Sequence, residues 1–190
     1  MIVARTAELA EEHLTAGTMQ CPRCEGRLTR WGFGRPRTVR SHGNATVRLA
    51  PRRVRCVACR DTHIVLPAAF QARHADTTAV IGEALLHKAN GMGYRRIAAK
   101  LQRAESTVRR WLRRATTAHL HWIYHSGVQR LVQVAPEAFT ELRFGGNPLR
   151  NALAVLGAAT YWDQHRFGFT EPPWTLIGTY TRGRLLAPPG

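Results

Sequence analysis

Two cysteine pairs constrain the fold of this 190-residue chain more than any other feature, because all four cysteines lie in Cys-x-x-Cys spacing. The pairs are Cys21/Cys24 and Cys56/Cys59. Two residues between thiolates let a tight turn aim both sulfurs at one ion, and two such turns complete a tetrahedral four-sulfur shell. The pattern predicts one structural Zn²⁺ ion bound by all four cysteines, with no open position for a catalytic water.

Two alternatives to a zinc site are a redox-active pair and buried thiols without a metal. A thioredoxin-like site needs a βαβ surround, which the sequence lacks, and it needs only one pair. His42 and His63 are further candidate ligands, but we expect each to be an ordinary loop or strand residue. Zinc bound by the four cysteines is therefore the interpretation we prefer.

The residues around the cysteines predict a small β zinc ribbon over residues 21–70. Gly26 follows the first pair and is expected to relieve its turn. Alternating and β-branched stretches predict strands, with a turn over the GFGRPR stretch at residues 32–37. The predicted strands are 28–31, 47–49, 54–55 and 62–66. A ribbon this small has little apolar core, so the metal should contribute folding free energy.

The charge of the chain favours a polyanionic partner. Lys and Arg number 28 against 12 Asp and Glu, a formal net charge of +16, and the whole excess lies in residues 21–118. Such a balance favours nucleic acid before a membrane surface. Four arginines of the ribbon either form a solvated edge or contact phosphates. They are Arg48, Arg52, Arg53 and Arg55.

From residue 76 the apolar spacing changes to a helical period, and three helices are expected over residues 76–118. Capping residues and glycine breakers place them at 76–90, 94–101 and 106–118. The third helix has an apolar stripe that leaves its arginines outside the core. The stripe consists of Val108, Trp111, Leu112 and Ala115.

The last two of these helices resemble the helix-turn-helix of bacterial regulators, recombinases and transposases. The likeness is carried by Ile97, Ala98, Leu101 and the run STVRRWL at 106–112. Two positions in the turn depart from that pattern. The residue that is usually glycine is Gln102, which must bear a strained backbone or take a different turn, and the next, usually apolar, is Arg103.

The resemblance implies that the second helix of the pair enters the major groove of DNA. Its three arginines are candidates for bidentate contact with guanine, and its first hydroxyls for phosphate contacts. The start of the preceding helix would hold the DNA backbone. For each arginine, phosphate contact or solvation is the simpler alternative. The implied contact residues are Tyr94, Arg95, Arg96, Ser106, Thr107, Arg109, Arg110 and Arg113.

Taken together, the two modules resemble the N-terminal DNA-binding region of insertion-sequence transposases. They are still more similar to short actinobacterial proteins of unknown function that carry the same pair of modules. The likeness covers about Cys21 to Arg114 and is carried by RRVRC at 52–56, Cys59 and THIVLP at 62–67. It implies DNA binding, without naming the DNA site or the biological output.

The two ends of the chain are expected to be mostly helical. Residues 1–20 predict one N-terminal helix, and residues 119–190 a helical region with a loop at 171–174 and a tail at 187–190. The fold class is therefore mainly α with a small β zinc ribbon, followed by a three-helix helix-turn-helix domain and a helical C-terminal region. Within that region, helices are expected at 120–132 and 148–165.

Neither a signal peptide nor a membrane span is apparent, since the longest apolar run covers only residues 152–159. A cytoplasmic, nucleoid-associated protein is expected. A transposase nuclease domain needs two aspartates and a glutamate, and after residue 118 the only aspartate is Asp163. We therefore expect no enzyme. The three glutamates in that part are Glu137, Glu141 and Glu171.

The function expected from the sequence is sequence-specific binding of double-stranded DNA. The chain would serve as a transcription regulator or as an accessory factor of a mobile element, as a homodimer or with a partner protein. One alternative is a protein that binds RNA or DNA by charge alone. Another is a non-catalytic subunit derived from a transposase.

Overall fold

The computed structural model describes residues 1–186, where eight helices make up about half of the chain and six short strands accompany them. The strands are β1 (Ile2–Ala4), β2 (Leu28–Phe33), β3 (Arg37–Arg40), β4 (Thr46–Leu49), β5 (Arg52–Cys56) and β6 (Thr62–Pro67). The helices are α1 (Ala7–Ala16), α2 (Thr78–Ala89), α3 (Tyr94–Leu101), α4 (Glu105–Arg113), α5 (Thr117–Val134), α6 (Pro136–Glu141), α7 (Pro148–Phe167) and α8 (Pro173–Tyr180).

A four-stranded mixed sheet in the order β1–β6–β5–β2 forms the first part of the fold. β1 is parallel to β6, and the other neighbours are antiparallel. The helix expected in residues 1–20 is α1, but it starts later than the sequence suggests, because Ile2 pairs with Val65 as part of a strand. Thr6 then caps α1 by accepting the Leu9 N–H. The N-terminal segment is thus an integral part of the sheet unit.

β3 and β4 form a separate two-stranded hairpin. The turn expected at residues 32–37 is shorter than predicted, because β2 continues to Phe33 and β3 begins at Arg37. The register of β2 against β5 shifts between Arg30 and Phe33, and Gly32 adopts a φ of 94°. This irregularity resembles a β-bulge, which the alternation of residue types does not reveal.

Helices α2, α3 and α4 share one apolar core that also takes in residues of α5, α7 and α8. Trp111, Ile81 and Ile97 are among its fully buried side chains. The helix expected to reach Ala118 ends at Arg113, and α5 begins after an extended residue at Thr116. No glycine or proline occupies residues 114–116, so the local signal for this break is limited to Thr116, a residue type that suits the N-cap position it occupies.

The C-terminal part is helical, as expected, and α5 and α7 pack closely together. An added Cβ at Gly127 of α5 would lie 3.0 Å from the backbone nitrogen of Leu156 in α7. Helices α5 and α7 cover the ranges expected at 120–132 and 148–165. Within residues 1–186, no helix combines the length and apolarity that crossing a bilayer requires.

Two features of the C-terminal part correct the sequence analysis. The loop expected at residues 171–174 contains the start of α8, since Pro173 occupies its first turn, where a missing N–H is harmless. Trp174 then packs on Gly82 of α2, where an added Cβ would lie 2.3 Å from the indole ring. The sequence analysis also does not predict α6. The expected tail, residues 187–190, lies outside the described residues.

Candidate metal centre and basic helix surface

The four cysteines converge at one end of the sheet, and their sulfur atoms all lie within 4.8 Å of one another. The Sγ atoms of Cys21 and Cys59 are 3.7 Å apart, and those of Cys24 and Cys56 are 3.5 Å apart. Four sulfurs about 2.3 Å from a central zinc ion would be roughly 3.8 Å apart at the corners of a tetrahedron. The cluster therefore has the dimensions of a four-thiolate metal site.

The two cysteine turns have the same backbone construction. The N–H of Cys21 donates to the Gly26 carbonyl at 2.9 Å, and the N–H of Cys56 donates to the Asp61 carbonyl at 2.9 Å. The residue after each second cysteine is left-handed, with φ of 60° at Glu25 and 66° at Arg60. Each such residue costs roughly 1–2 kcal/mol. Both cysteine turns therefore use the same strained backbone conformation, and each directs two sulfur atoms toward the centre of the cluster.

Gly26 has a different role from the one expected. The left-handed residue of the first turn is Glu25, so Gly26 does not relieve the turn through its own φ. It instead lies against the second turn, where an added Cβ would be 2.9 Å from the Ala58 Cβ and 3.0 Å from the Cys56 Sγ. Glycine is required there because the two turns approach each other too closely for a side chain.

The thiols of the cluster titrate unequally. Burial raises the pKa of the Cys56 thiol, but the N–H groups of Cys59 and Ala58 outweigh this and lower it to about 7. The Asp61 N–H lowers the pKa of Cys59, but hydrogen bonding with Cys24 and burial raise it to about 12. One sulfur thus ionises first while a neighbour keeps its proton. A cation bound by all four would have to displace the remaining protons.

The two candidate histidines occupy different surroundings. The Nε2 atom of His63, on β6, lies 3.3 Å from the Cys21 Sγ, beside the cluster. The Nε2 atom of His42 lies 2.8 Å from a carboxylate oxygen of Glu83 on α2. His63 therefore neighbours the site as a hydrogen-bonding partner of a sulfur, whereas His42 links the β3–β4 hairpin to a helix.

The apolar stripe expected on the last of the three helices is present in α4 except for Ala115, which lies after the helix ends at Arg113, and Leu112 is half-buried. Val108 and Trp111 are buried, whereas the three arginines of α4 that the sequence assigned to DNA are exposed. Gln102 separates α3 from α4 in the left-handed conformation, with φ 53° and ψ 49°. Of the two alternatives foreseen for this non-glycine residue, the strained backbone is the one adopted. The exposed arginines are Arg109, Arg110 and Arg113.

Arg103, the second departure from the pattern, is a buried structural residue. Its Nε donates to Asp76 Oδ1 at 2.6 Å, and Asp76 Oδ2 accepts from Arg40 at 2.7 Å. Its guanidinium also donates to carbonyl oxygens of Ser41 and Gly43. The side chain therefore joins the α3–α4 turn to the β3–β4 hairpin and to the start of α2. The contact to Asp76 spans 27 residues, so local sequence gives no signal for it.

The remaining candidate residues of this surface lie at the starts of α3 and α4. Arg95 and Arg96 are exposed and Tyr94 is half-buried. The Nε of Arg95 lies 3.6 Å from a carboxylate oxygen of Glu105, which ties the two helix starts together. No side chain caps α4. Its second and third residues, Ser106 and Thr107, are exposed and half-buried respectively.

The four ribbon arginines do not form one free face. Arg52 donates to Glu11 of α1 at 2.5 Å and its guanidinium lies 3.8 Å from the centre of the Phe33 ring. Arg55 lies over Trp31 at 4.6 Å and donates to a backbone carbonyl. Arg53 is half-buried, and Arg48 is exposed on the hairpin. Arg52 is thus engaged in contacts that stabilise the fold. Trp31 is a surface residue whose role the sequence did not indicate.

The C-terminal acids lie in unrelated surroundings. Asp163 is fully buried and accepts from Arg130 Nε at 2.9 Å and from the Tyr180 hydroxyl. Burial, followed by the Asp163 carboxylate, raises the pKa of Tyr180. Glu171 pairs with Arg5 at 2.6 Å. These acids hold the fold together. In residues 1–186, the only group of three or more potential metal-ligating side chains is the four-cysteine cluster.

Comparison with known proteins gives one match. Residues 21–111 match a domain of unknown function, DUF6431. The matched segment is just under half of the chain and contains both cysteine pairs, α2, α3 and most of α4. No curated protein and no solved structure matches the chain. The cysteine cluster and the α3–α4 pair thus fall within one family segment, and the resemblance to transposase N-terminal regions stays a prediction.

Proposed function

We propose that the chain binds double-stranded DNA sequence-specifically and that α3 and α4 act as a helix-turn-helix. The observation that carries this proposal is the division of α4 into a buried apolar stripe and an exposed face of three arginines. An α-helix is about 10–12 Å across with its side chains, so α4 matches a major groove about 12 Å wide. We place the protein among transcription regulators or accessory factors of mobile elements, in a non-catalytic role.

The spacing of the α4 arginines supports base readout. Arg113 follows Arg109 by four residues and Arg110 by three, so all three share one side of the helix. Arginine can donate two hydrogen bonds to the O6 and N7 atoms of a guanine. Arg95 and Arg96, at the start of α3, would contact phosphates in the same arrangement. Base contacts and backbone contacts would then come from different helices.

We further propose that the metal is a single structural zinc ion. Four thiolates in a tetrahedral arrangement favour zinc among the metals that proteins bind, and no ligand position stays open for water. In this role the metal holds the two cysteine turns together at the end of the sheet. It thereby supports the unit to which the hairpin and the helices are attached.

A second candidate function rests on the exposed Trp31. This side chain is 49% exposed and carries the Arg55 guanidinium on its ring. Exposed aromatics beside arginines can stack on the bases of single-stranded DNA or RNA without sequence preference. This observation favours the charge-driven nucleic-acid binder as the alternative to duplex recognition.

In vitro selection from random duplex DNA, using zinc-loaded protein at roughly physiological salt, tests the main proposal. An enriched motif is expected, and a palindromic motif would indicate a dimer. A parallel titration with single-stranded DNA of the same composition tests the second candidate. No enrichment, together with equal binding of single strands that collapses as salt rises, would replace the first proposal with the second.

A further inference from the structure

A cleft of about 740 Å³ opens where β6, the segment before α2, the residue after α4 and the C-terminal segment meet. Its apolar lining includes Ile64, Leu66 and Leu186. Two hydrogen bonds hold its walls together: Ala72 N–H donates to Gly183, and Leu185 N–H donates to the buried Gln71 side chain. The cleft is therefore part of the packed fold and does not depend on one exposed loop.

The rim of this cleft is strongly positive. It includes four arginines and His74, and no carboxylate group from residues 1–186 lines it. Within residues 1–186, none of these four arginines forms an ion pair with a carboxylate. The four are Arg37, Arg73, Arg114 and Arg184.

The rim residues described next form hydrogen bonds with one another or with backbone carbonyl groups, and not with carboxylate groups. Arg37 donates to the His74 carbonyl at 2.8 Å and to the Gln71 carbonyl at 3.3 Å. A guanidinium nitrogen of Arg114 lies 3.3 Å from His74 Nε2. Burial lowers the pKa of His74, and the charges of Arg114 and Arg110 lower it further. The charge of Asp76 opposes this decrease, so His74 lies in a surround that is mainly but not wholly positive.

We propose that this cleft binds a small organic anion, whose phosphate or carboxylate group is held by the rim arginines and whose apolar body lies on Ile64, Leu66 and Leu186. Guanidinium groups pair with phosphate or carboxylate in a bidentate manner. Apolar walls with a few placed polar groups are typical of small-molecule sites. The backbone of a duplex carries charge without an apolar body, so it would leave the lining unused. The inference does not depend on DNA binding.

Calorimetric titration of the zinc-loaded full chain with phenyl phosphate tests this proposal, with inorganic phosphate as the charge-only probe. Phenyl phosphate should bind one site per chain, roughly tenfold more tightly than inorganic phosphate. The double variant R73Q/R184Q should weaken phenyl phosphate binding by about tenfold or more. Arg143→Gln removes an exposed arginine outside the cleft and should leave binding unchanged.

Three results would overturn the proposal. The first is the absence of saturable phenyl phosphate binding to the wild-type chain. The second is equal affinity for inorganic phosphate, which would show that the apolar lining is not used. The third is an equal loss of binding in Arg143→Gln, which would reveal a general charge effect. The first two use the wild-type protein, so they hold even if the double variant folds poorly.

Discussion

At the scale of single residues, Gly26 sets how closely the two cysteine turns approach. A methyl group there would press on Ala58 and on the Cys56 sulfur. We expect Gly26→Ala to push the turns apart and weaken zinc binding by roughly tenfold, because metal affinity depends on preformed ligand geometry. Competition with a chromophoric zinc chelator measures this change.

The control for this substitution is Gly157→Ala, an exposed helical glycine of α7 with open space around its Cβ position. We expect it to leave zinc affinity unchanged and to stabilise the fold by about 0.5–1 kcal/mol, through helix propensity. Equal zinc affinity in both variants would show that the close approach at Gly26 is unimportant.

Arg103 and Asp76 form the buried ion pair of the α3–α4 turn, and each side chain is only 3% exposed. We expect Arg103→Met to lower the free energy of unfolding by about 3 kcal/mol, because Asp76 loses a partner in a low-dielectric surround. Urea denaturation monitored by circular dichroism measures this loss.

Arg95→Met is the matched control for that experiment, since it breaks the Arg95–Glu105 pair between the two helices that flank Arg103. The Arg95 side chain is 76% exposed, and solvent screens such a pair. The stability of this variant should stay close to that of the wild-type chain. Similar losses in both variants would argue against a structural role specific to Arg103.

At the scale of elements, the residue pattern predicts those helices and strands whose bounds depend on neighbouring residues in the sequence. The bounds of α3 follow from the Gly93 breaker and the apolar residues Ile97 and Leu101, and four of the six strands follow from β-branched stretches. What the sequence analysis misses depends on distant partners. β1 exists because Ile2 pairs with Val65, and α8 is held by the Trp174 contact with Gly82.

The candidate site likewise has a part that the sequence predicts and a part that it does not. The cysteine cluster was predictable because its four ligands lie in two Cys-x-x-Cys pairs, and a tight turn determines the geometry of each pair. The contacts of the ribbon arginines could not be predicted in this way. Arg52 pairs with Glu11 and Arg55 lies over Trp31, and both partners lie on other elements. Charge in a sequence identifies a basic surface, but only packing shows which cations are already engaged.

Helix α4 as an element carries the central functional prediction. We expect Arg110→Ala to reduce discrimination between the selected duplex and a random duplex by about 1–3 kcal/mol, because it removes a base contact. Arg95→Ala should weaken both complexes alike, since a phosphate contact carries no sequence information. Binding isotherms on both duplexes separate the two effects. Equal losses on both duplexes for both variants would rule out base readout by Arg110.

At the scale of the whole molecule, the two largest apolar cores are separate clusters of buried residues. One joins α1 to the sheet and includes Cys21 and Cys56, and the other joins α2 through α5 with α7 and α8. Two smaller clusters accompany them, one that includes Val39, Leu49 and Phe70 and one among residues of α5, α6 and α7. The buried Asp76–Arg103 pair, with the exposed Arg40 also bound to Asp76, links the hairpin to the helices. A metal bound by the four cysteines would therefore stabilise one core directly and the other only through these junctions.

This division predicts a partly folded state when the metal is removed. We expect chelation of zinc, or Cys56→Ser, to abolish amide-exchange protection in β2, β5 and β6 while α5 and α7 stay protected. Most of the helical circular dichroism should remain, because the helical core contains no metal ligand. Hydrogen exchange read by mass spectrometry resolves the two parts.

Val57→Ser supplies the control for Cys56→Ser, because it places the same serine at an exposed position of the same turn without removing a ligand. It should keep its zinc and its protection throughout. If Cys56→Ser also keeps its zinc content and melting temperature, the cysteines do not form a structural metal site. If it loses zinc and the helices lose protection together with the sheet, the two cores unfold as one cooperative unit. In that case the junction at Asp76 couples them more strongly than their separate packing implies.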